Sequence, residues 1–581
     1  MTSPDKKRSS IAGAIVIAGV LLSCITALLG YDILPDYQDK LFHLRRLAAL
    51  AQTLNSGYFP ARIYFVMNSG TGYALPVFYP DLFLYVPAFL VNIGVPLGIA
   101  YDVYVIGINL ITGIVTYLSV KGILKGDKII AAVISFVYVL SVYRLTDVYI
   151  RDAVGEYTAM AFLPFVIYSF VRVYRDEDSG EGIKGILKNA SYLGLSMAIL
   201  SVSHILTTMM TAGFLFVSAV IMIKKTVKKN VFLTLVLSVM IFLGLAAYNL
   251  VPMIDYMLSD RYLVNESSNI MRGFYPGWRD LLEIIPSGSG SGIVYEMKMP
   301  TAVGPAITAI LAAWFVRTII LFIRRLSSKD KKSVFYPGFN AELVLFVITG
   351  LSLFISSKYF PWTKIEQSGG ILRSVFCSVQ FSWRYLGTAS VCACILGAYL
   401  IRDIYISSKT AGRIFGCLIV IIAVIPGIIL QTRACSENNH VKISKGEEIG
   451  IVSDELYFPV SWNRDAVYDE KPAAAGCEVV SYARVGGDWI VDVKDSSEGA
   501  VVVFPVVYYK GYTAQTESGD KLSVMQGTDG RVMVILPAGL NSQIKMGFKE
   551  PARWKFAETV SLIVIVFVSL LLIIRRKTGG D

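Results

Sequence analysis

The sequence predicts a polytopic α-helical membrane protein of about 12–13 spans that carries a small extracytoplasmic all-β domain near its C-terminus. Three observations lead there. The 581 residues are 54% hydrophobic and 17% charged, with a mean hydropathy of +0.58. Long apolar runs alternate with short Lys/Arg clusters. From about 440 to 550 that pattern gives way to short alternating segments bounded by turn residues.

Ile11 to Gly30 carry no charge over 20 positions, enough to cross a hydrocarbon core. Lys6, Lys7 and Arg8 precede this run, as in a secretory signal, but signal cores are usually about 7–15 residues long. The run is therefore expected to be an uncleaved first span. Further apolar runs cover 81–120, 128–146, 153–172, 187–203, 206–223, 229–252, 301–324, 341–357, 383–402, 411–431 and 556–575. Basic connectors include Lys121/Lys125/Lys128, Arg172/Arg175/Lys184, Lys224/Lys225/Lys228/Lys229, Arg324/Arg325/Lys329 and Arg402/Lys409/Arg413, and the tail adds Arg575, Arg576 and Lys577. The positive-inside rule assigns these to the cytoplasmic face of the membrane. Segments 31–80, 144–156, the turn near His204, 253–300, 358–382 and 432–555 then face outward. Run 81–120 is ambiguous: parity requires an odd number of crossings, and three would each fall below the ~17-residue minimum. Either 81–97, with Pro87 and Pro96, is shallow or re-entrant, or a hairpin there moves one basic cluster outside.

Alternation in Val479–Val485, Trp489–Val493, Ala500–Tyr509 and Arg531–Leu536, with turns at Gly486-Gly487 and Asp529-Gly530, indicates a β-sandwich. The expected division is 1–431 for the membrane domain, 432–555 for the β domain, and 556–581 for a last span with a basic tail. The net charge of +11 sits largely in short loops, which argues for membrane lipids and against nucleic acid as the partner. Cys435 and Cys477 share an outward segment, where an oxidising environment permits a disulfide.

The outward segments hold the unusual polar residues. No Pro or Gly falls between Asp36 and Gly57, so a helix is expected there, with Asp39, His43 and Arg46 within roughly 60° of one another and Asp36 adjacent. Leu41, Leu44 and Ala48 occupy the other side, the pattern of an interfacial helix with its apolar side on the membrane. Next come Arg144, Arg151, Asp152 and Glu156. Glu156 lies one turn inside an apolar run, where a carboxylate is expensive. His204 stands between two apolar runs, and Gln380 and Arg384 open another. Arginine at the outward end of a span opposes the positive-inside bias, and a phosphate ligand would explain it, because guanidinium matches phosphate oxygens bidentately. Arg373 and Arg384, with Arg62, Arg144, Arg151 and Arg272, are the candidates. GxxxxGK[ST], HExxH and GxSxG motifs are absent.

Asp39-x3-His43-x2-Arg46, Gly57-Tyr-Phe-Pro60-Ala-Arg62 and Gly72-Tyr73…Phe78-Tyr79-Pro80 resemble the first external loop of C-type (GT-C fold) glycosyltransferases. The nearest branch is that of bacterial 6-pyruvoyl-tetrahydropterin synthase-related membrane proteins. Arg151-Asp-Ala-Val-Gly-Glu156, His204 and Gln380-Phe-Ser-Trp383-Arg384 are similar to later signatures of that branch. The resemblance implies transfer of a sugar from a polyprenyl-phosphate-linked donor to a cell-envelope glycan or lipid acceptor on the outer face, with a first-loop aspartate as general base. Asp39 matches that position best, Asp36 is one turn away, and His43 belongs to the same group. Arg46, Arg62, Arg144, Arg151, Glu156, His204, Gln380 and Arg384 would bind substrate or lipid phosphate. No cofactor is expected. Asp36 and Asp39 could share a divalent ion, but the cations His43 and Arg46 on the same face argue against a metal. A lipid or glycan transporter, or a non-catalytic cell-wall assembly protein, are the competing readings, the former requiring charges near span centres.

Overall fold

The computed structural model describes residues 3–29, 34–35, 39–175, 182–266, 275–285, 299–327, 339–436, 440–441, 455–463 and 470–578. The chain is a multi-pass α-helical membrane protein with a C-terminal β domain. Seven described helices are long and apolar enough to cross a bilayer: Leu97–Ile123, Val154–Arg175, Lys229–Ser259, Pro305–Ile323, Ser382–Ser407, Lys409–Ala434 and Ala552–Ile573. Lys128–Val139 and Val142–Tyr149, bent by 47° at their junction, make an eighth. Helices Ser3–Ser23, Gly182–Ser201, Ile205–Ile221 and Phe339–Ser356 occupy other expected runs, but are too short or too polar to qualify on length and composition alone.

The ambiguous run resolves locally. Leu82–Leu84 is a 3-10 turn, Tyr85–Asn92 is a short helix packed on the helix Lys40–Asn55, and Leu97–Ile123 is the one full span. Gly94, at φ 96°, and Pro96 separate the last two, a backbone change that glycine permits and proline enforces.

The C-terminal domain is antiparallel throughout. After the two-residue strands β1 (Leu34–Pro35) and β2 (His440–Val441), which pair with each other, come β3 (Ala473–Ala475), β4 (Glu478–Val485), β5 (Asp488–Lys494), β6 (Val501–Val507), β7 (Tyr512–Thr516), β8 (Lys521–Gln526), β9 (Arg531–Ile535) and β10 (Ser542–Phe548). The eight later strands form one sheet in the order β3-β6-β9-β8-β7-β10-β5-β4. Five strand spacings separate β5 from β6, about 24 Å in a flat sheet. Yet the rings of Trp489 on β5 and Phe504 on β6 lie 6.1 Å apart. The sheet therefore folds over at the β7–β8 hairpin, and its halves share a core of Val491, Val502, Val534 and Ile544. Two layers are present as expected, but in a single continuous sheet.

This domain is docked on the membrane domain. Arg484 donates to the carbonyls of Gly70 (2.6 Å) and Phe65 (2.8 Å), and Tyr58 donates to Asp488 (2.7 Å). Tyr509 stacks on Tyr262 and Tyr256, which belong to the end of the helix Lys229–Ser259 and the loop after it. Tyr509 and Tyr512 are buried, and residues 508–511 form a turn between β6 and β7. Cys477 is a free thiol, and the Cys435 side chain lies outside the described residues.

Asp255 fastens the junction. Its carboxylate, buried at the end of a span, accepts from Lys510 (2.9 Å), Arg553 (2.9 Å) and the Trp554 indole (2.7 Å). Because Lys510 and Arg553 are substantially exposed, screening limits their share, and the buried indole N–H matters most. Asp255→Ala should lower stability by about 1–3 kcal/mol, read as a drop in Tm of the purified protein. An unchanged Tm would show that the latch carries no weight.

Candidate active site

The helix Lys40–Asn55 forms as the uninterrupted sequence requires, but its start changes the expected geometry. Asp39 is the N-cap, at φ −108° and ψ −6°, and its side chain caps nothing. Its backbone N–H donates to the Arg151 carbonyl (3.2 Å), which joins the first polar loop to the second. The Asp39 side chain is half-buried and makes no hydrogen bond or ion pair with a described residue. Burial raises its carboxyl above the usual range, Arg151 and Arg384 pull it down, and Glu156 pushes it up. The surrounding field therefore comes from the second loop and from the 382–384 turn, not from His43 and Arg46.

Those surroundings are a buried ion cluster. Glu156, in the first turn of the helix Val154–Arg175, accepts from Tyr143 (2.5 Å) and from Arg151 Nη1 (3.0 Å), and lies 3.1 Å from Arg384 Nε. Arg151 Nη1 also donates to Asp147 (2.7 Å). Arg384 Nη1 donates to the Val379 carbonyl and to Gln380 Oε1, each at 2.9 Å. Both guanidiniums lie over the Phe381 ring, at 5.5 and 5.0 Å. Nε and Nη2 of Arg151 and Nη2 of Arg384 form no bond among the described residues and are not sealed from solvent. These N–H groups can bind an anion.

His204 borders the cluster. Its Nδ1 caps the helix Ile205–Ile221, accepting from the Thr207 N–H (3.4 Å) and pairing with the Thr207 hydroxyl (2.7 Å). Burial, with Arg384 beside it, holds its imidazole down at about 3. Tyr79 links His204 to the first-loop helix: its ring is 6.2 Å from His204 and 5.7 Å from His43, and its hydroxyl accepts from the Gly155 N–H (2.9 Å).

Six of the sequence-predicted residues thus converge: Asp39, Arg151, Glu156, His204, Gln380 and Arg384. The others do not join them. His43 is buried between Phe42 and Tyr79 with Nδ1 unpaired, and burial holds it well below the ordinary imidazole range. Arg46, fully buried, pairs with Asp81, donates to the Tyr79 and Pro80 carbonyls (2.7 Å each) and lies 4.0 Å over the Tyr79 ring. Arg62 is held by Glu550 (2.5 Å) and Glu558 (2.6 Å). Arg144 is buried at the junction of the bent helix pair, against Asn109 (2.7 Å), Thr112 (2.9 Å) and the Val139 carbonyl (3.3 Å). These arginines are structural staples, not open phosphate ligands. The expected membrane-facing side of the helix Lys40–Asn55 is also corrected, since Leu44 is fully buried. Asp36 lies outside the described residues, and among those described no cluster of His, Cys, Asp and Glu is arranged to hold a metal. Sequence reasoning missed Asp147, Tyr143 and Tyr79 as parts of the site. The Phe78-Tyr79-Pro80 motif was the available signal for Tyr79.

Two expectations follow from this packing. A Cβ on Gly155 would sit 2.6 Å from the Tyr79 ring and hydroxyl and 2.9 Å from the Ser203 carbonyl, so Gly155→Ala should cost about 1–3 kcal/mol, read as a lower Tm. His204 titrates far below its ordinary value, so the unfolded chain takes up the proton first. Its stabilising share is complete above about pH 6.5 and is lost as pH falls toward the folded value. Tm should therefore decline from pH 7 to pH 4 less steeply in His204→Gln than in the wild type, and parallel curves would refute this.

No family model matches the chain. A 108-residue stretch is 30% identical to an uncharacterised protein of Lactococcus lactis subsp. cremoris, covering 18% of this chain and 17% of that protein. Among solved structures, 75% of the chain is similar to the archaeal oligosaccharyltransferase AglB from Archaeoglobus fulgidus in complex with an inhibitory peptide and a dolichol-phosphate, at 12% identity and TM-score 0.41, covering 56% of that chain. Likewise, 73% of it is similar to the arabinofuranosyltransferase AftD from Mycobacteria, at 14% identity and TM-score 0.39, covering 27% of that chain. The chain thus spans just over half the length of the first and about a quarter of the second.

Proposed function

We propose that the chain is an inverting glycosyltransferase that moves a sugar from a polyprenyl-phosphate-linked donor to a cell-envelope acceptor, on the membrane face opposite its Lys/Arg clusters. One observation carries the reading. Asp39 is a half-buried carboxylate with no partner among the described residues, in the field of two guanidiniums that retain N–H groups unbonded among those residues. Glu156, by comparison, is buried and committed to Tyr143, Arg151 and Arg384, and Asp147 is buried with one carboxylate oxygen on Arg151. The sequence resemblance to C-type glycosyltransferases assigns the base to the same aspartate.

In this reading Asp39 takes the proton of an acceptor hydroxyl as that oxygen attacks the anomeric carbon. The bond from that carbon to the phosphate oxygen breaks, and its electron pair leaves with the lipid phosphate. Arg151 and Arg384 stabilise the charge that develops there, as pre-aligned donors do without reorganising during the reaction. Glu156 and Gln380 fix the guanidiniums and do not touch the reacting atoms. The β domain borders the acceptor side, next to the 58–73 loop it grips, and supplies no catalytic group.

The test uses purified protein in proteoliposomes with a panel of polyprenyl-phosphate-linked sugars, reading released polyprenyl phosphate by mass spectrometry. Asp39→Asn should abolish release with Tm unchanged, and Arg384→Gln should lower it about 10²–10³-fold. The base must be ionised, so the rate should fall on the acid side through a pH above the ordinary aspartate value of about 3.9. Full turnover by Asp39→Asn would remove Asp39 from the mechanism. Movement of intact labelled lipid across the bilayer without release would identify a transporter.

A further inference from the structure

A large cavity lies away from the Asp39 cluster, at the opposite ends of the helices. It occupies about 1100 Å³ between the helices Ser3–Ser23, Lys128–Val139, Tyr385–Ser407 and Lys409–Ser436. Its rim is basic, with Arg8, Lys125, Lys128, Arg402 and Arg413. The two rim acids are engaged: Asp5 pairs with Lys128 (2.6 Å), and Asp127 caps the Ile130 N–H (3.1 Å). The side chains of Lys125, Arg402 and Arg413 have no hydrogen bond or ion pair with any described residue.

Behind the rim the walls are apolar. They run from Lys128 to Phe136 on one helix and from Arg413 to Ile421 on another, two turns in each case, or about 12 Å. That is close to the depth of one leaflet of a ~30 Å hydrocarbon core. Ile414, Leu418 and Ile421 beside the opening are exposed, so the groove opens onto the bilayer. Gly416 lines it, and a Cβ built there meets nothing within 4 Å. The missing side chain is what leaves the wall open.

We infer that this groove binds one anionic phospholipid of the leaflet at the basic end, with its headgroup phosphate on Arg402, Arg413 and Lys125 and an acyl chain along Phe136 and Gly416. A soluble anion would use the rim and leave the 12 Å apolar wall without a role. A zwitterionic lipid would leave the excess positive charge uncompensated. Basic pockets between membrane helices on the positively charged side select anionic headgroups in this way. The site stands independently of the proposed sugar transfer.

The test reconstitutes the full chain in phosphatidylcholine nanodiscs with or without phosphatidylglycerol, and reads lipid retained after detergent extraction by native mass spectrometry. The wild type should keep one phosphatidylglycerol, and the double variant Arg402→Gln/Arg413→Gln should retain at least tenfold less. Gly416→Leu keeps every charge but fills the wall, and should lose the lipid to a similar degree with Tm unchanged. Lys409→Gln, an exposed site outside the groove, should retain it fully. Equal retention of phosphatidylcholine, loss with Lys409→Gln as great as with the double variant, retention by Gly416→Leu, or displacement by inorganic phosphate would each overturn the assignment.

Discussion

The membrane domain is organised around one carboxylate shared by two guanidiniums. Removing an arginine from water costs several kcal/mol even after the protein relaxes, and the cost is met only where geometry and hydrogen bonding are good. Arg151 and Arg384 are both buried, and Glu156 lies within 3.0–3.1 Å of each. The pairing requires the first turn of Val154–Arg175 to meet the turn that opens Tyr385–Ser407, two elements more than 200 residues apart in sequence. It also fixes the Arg151 carbonyl, on which the Asp39 backbone hangs. The Asp39 side chain, which meets no described partner, owes its position to an ion pair in which it takes no part.

Chemical type and chain position were legible for part of this. Glu156 inside an apolar run, and Arg384 at the wrong end of one, are each costly unless answered by an opposite charge, and they answer each other. The same logic misassigned Arg46, Arg62 and Arg144, because charge alone does not say where the partner is. Asp81 lies 35 residues from Arg46, and Glu558 lies 496 from Arg62. Arg144 is met by neutral acceptors on Asn109 and Thr112, which no charge pattern displays. The helical stripe through Asp39, His43 and Arg46 failed for a different reason. Asp39 is the N-cap of the helix, and its side chain meets no described partner. His43 and Arg46 turn instead into a packed core around Tyr79.

The β domain was legible from alternation, and its attachment was not. Period-two burial appears in β7, β8 and β9, as half-buried strands require. Tyr509 lies past the end of β6, where alternation no longer governs, and its ring joins Tyr256 and Tyr262 in a stack that crosses the domain boundary. Aromatic stacks of this kind contribute about 0.5–1.5 kcal/mol per pair beyond area burial. With the Asp255 latch and the Arg484 bonds to the 65–70 loop, they couple the domain to the loop that follows the Asp39 helix.

Backbone conformation separates the two ends of the bundle. Asp152 and Gln380 adopt φ of 53° and 67°, a region that costs a non-glycine residue about 1–2 kcal/mol. Glycine at either position would remove that cost, so the side chains must offset it. Gln380 does so by holding Arg384 Nη1 at 2.9 Å, and Asp152 by accepting from Tyr101 at 3.3 Å. At the basic rim Lys125 also has positive φ (56°), but there the backbone compensates: the Lys125 N–H donates to the Gly122 carbonyl (3.4 Å) and the Gly126 N–H to the Lys121 carbonyl (2.9 Å), closing the helix Leu97–Ile123. The left-handed residues of the Asp39 cluster are held by their side chains, whereas at the rim the backbone alone sets the turn and leaves the Lys125 amine without a described partner.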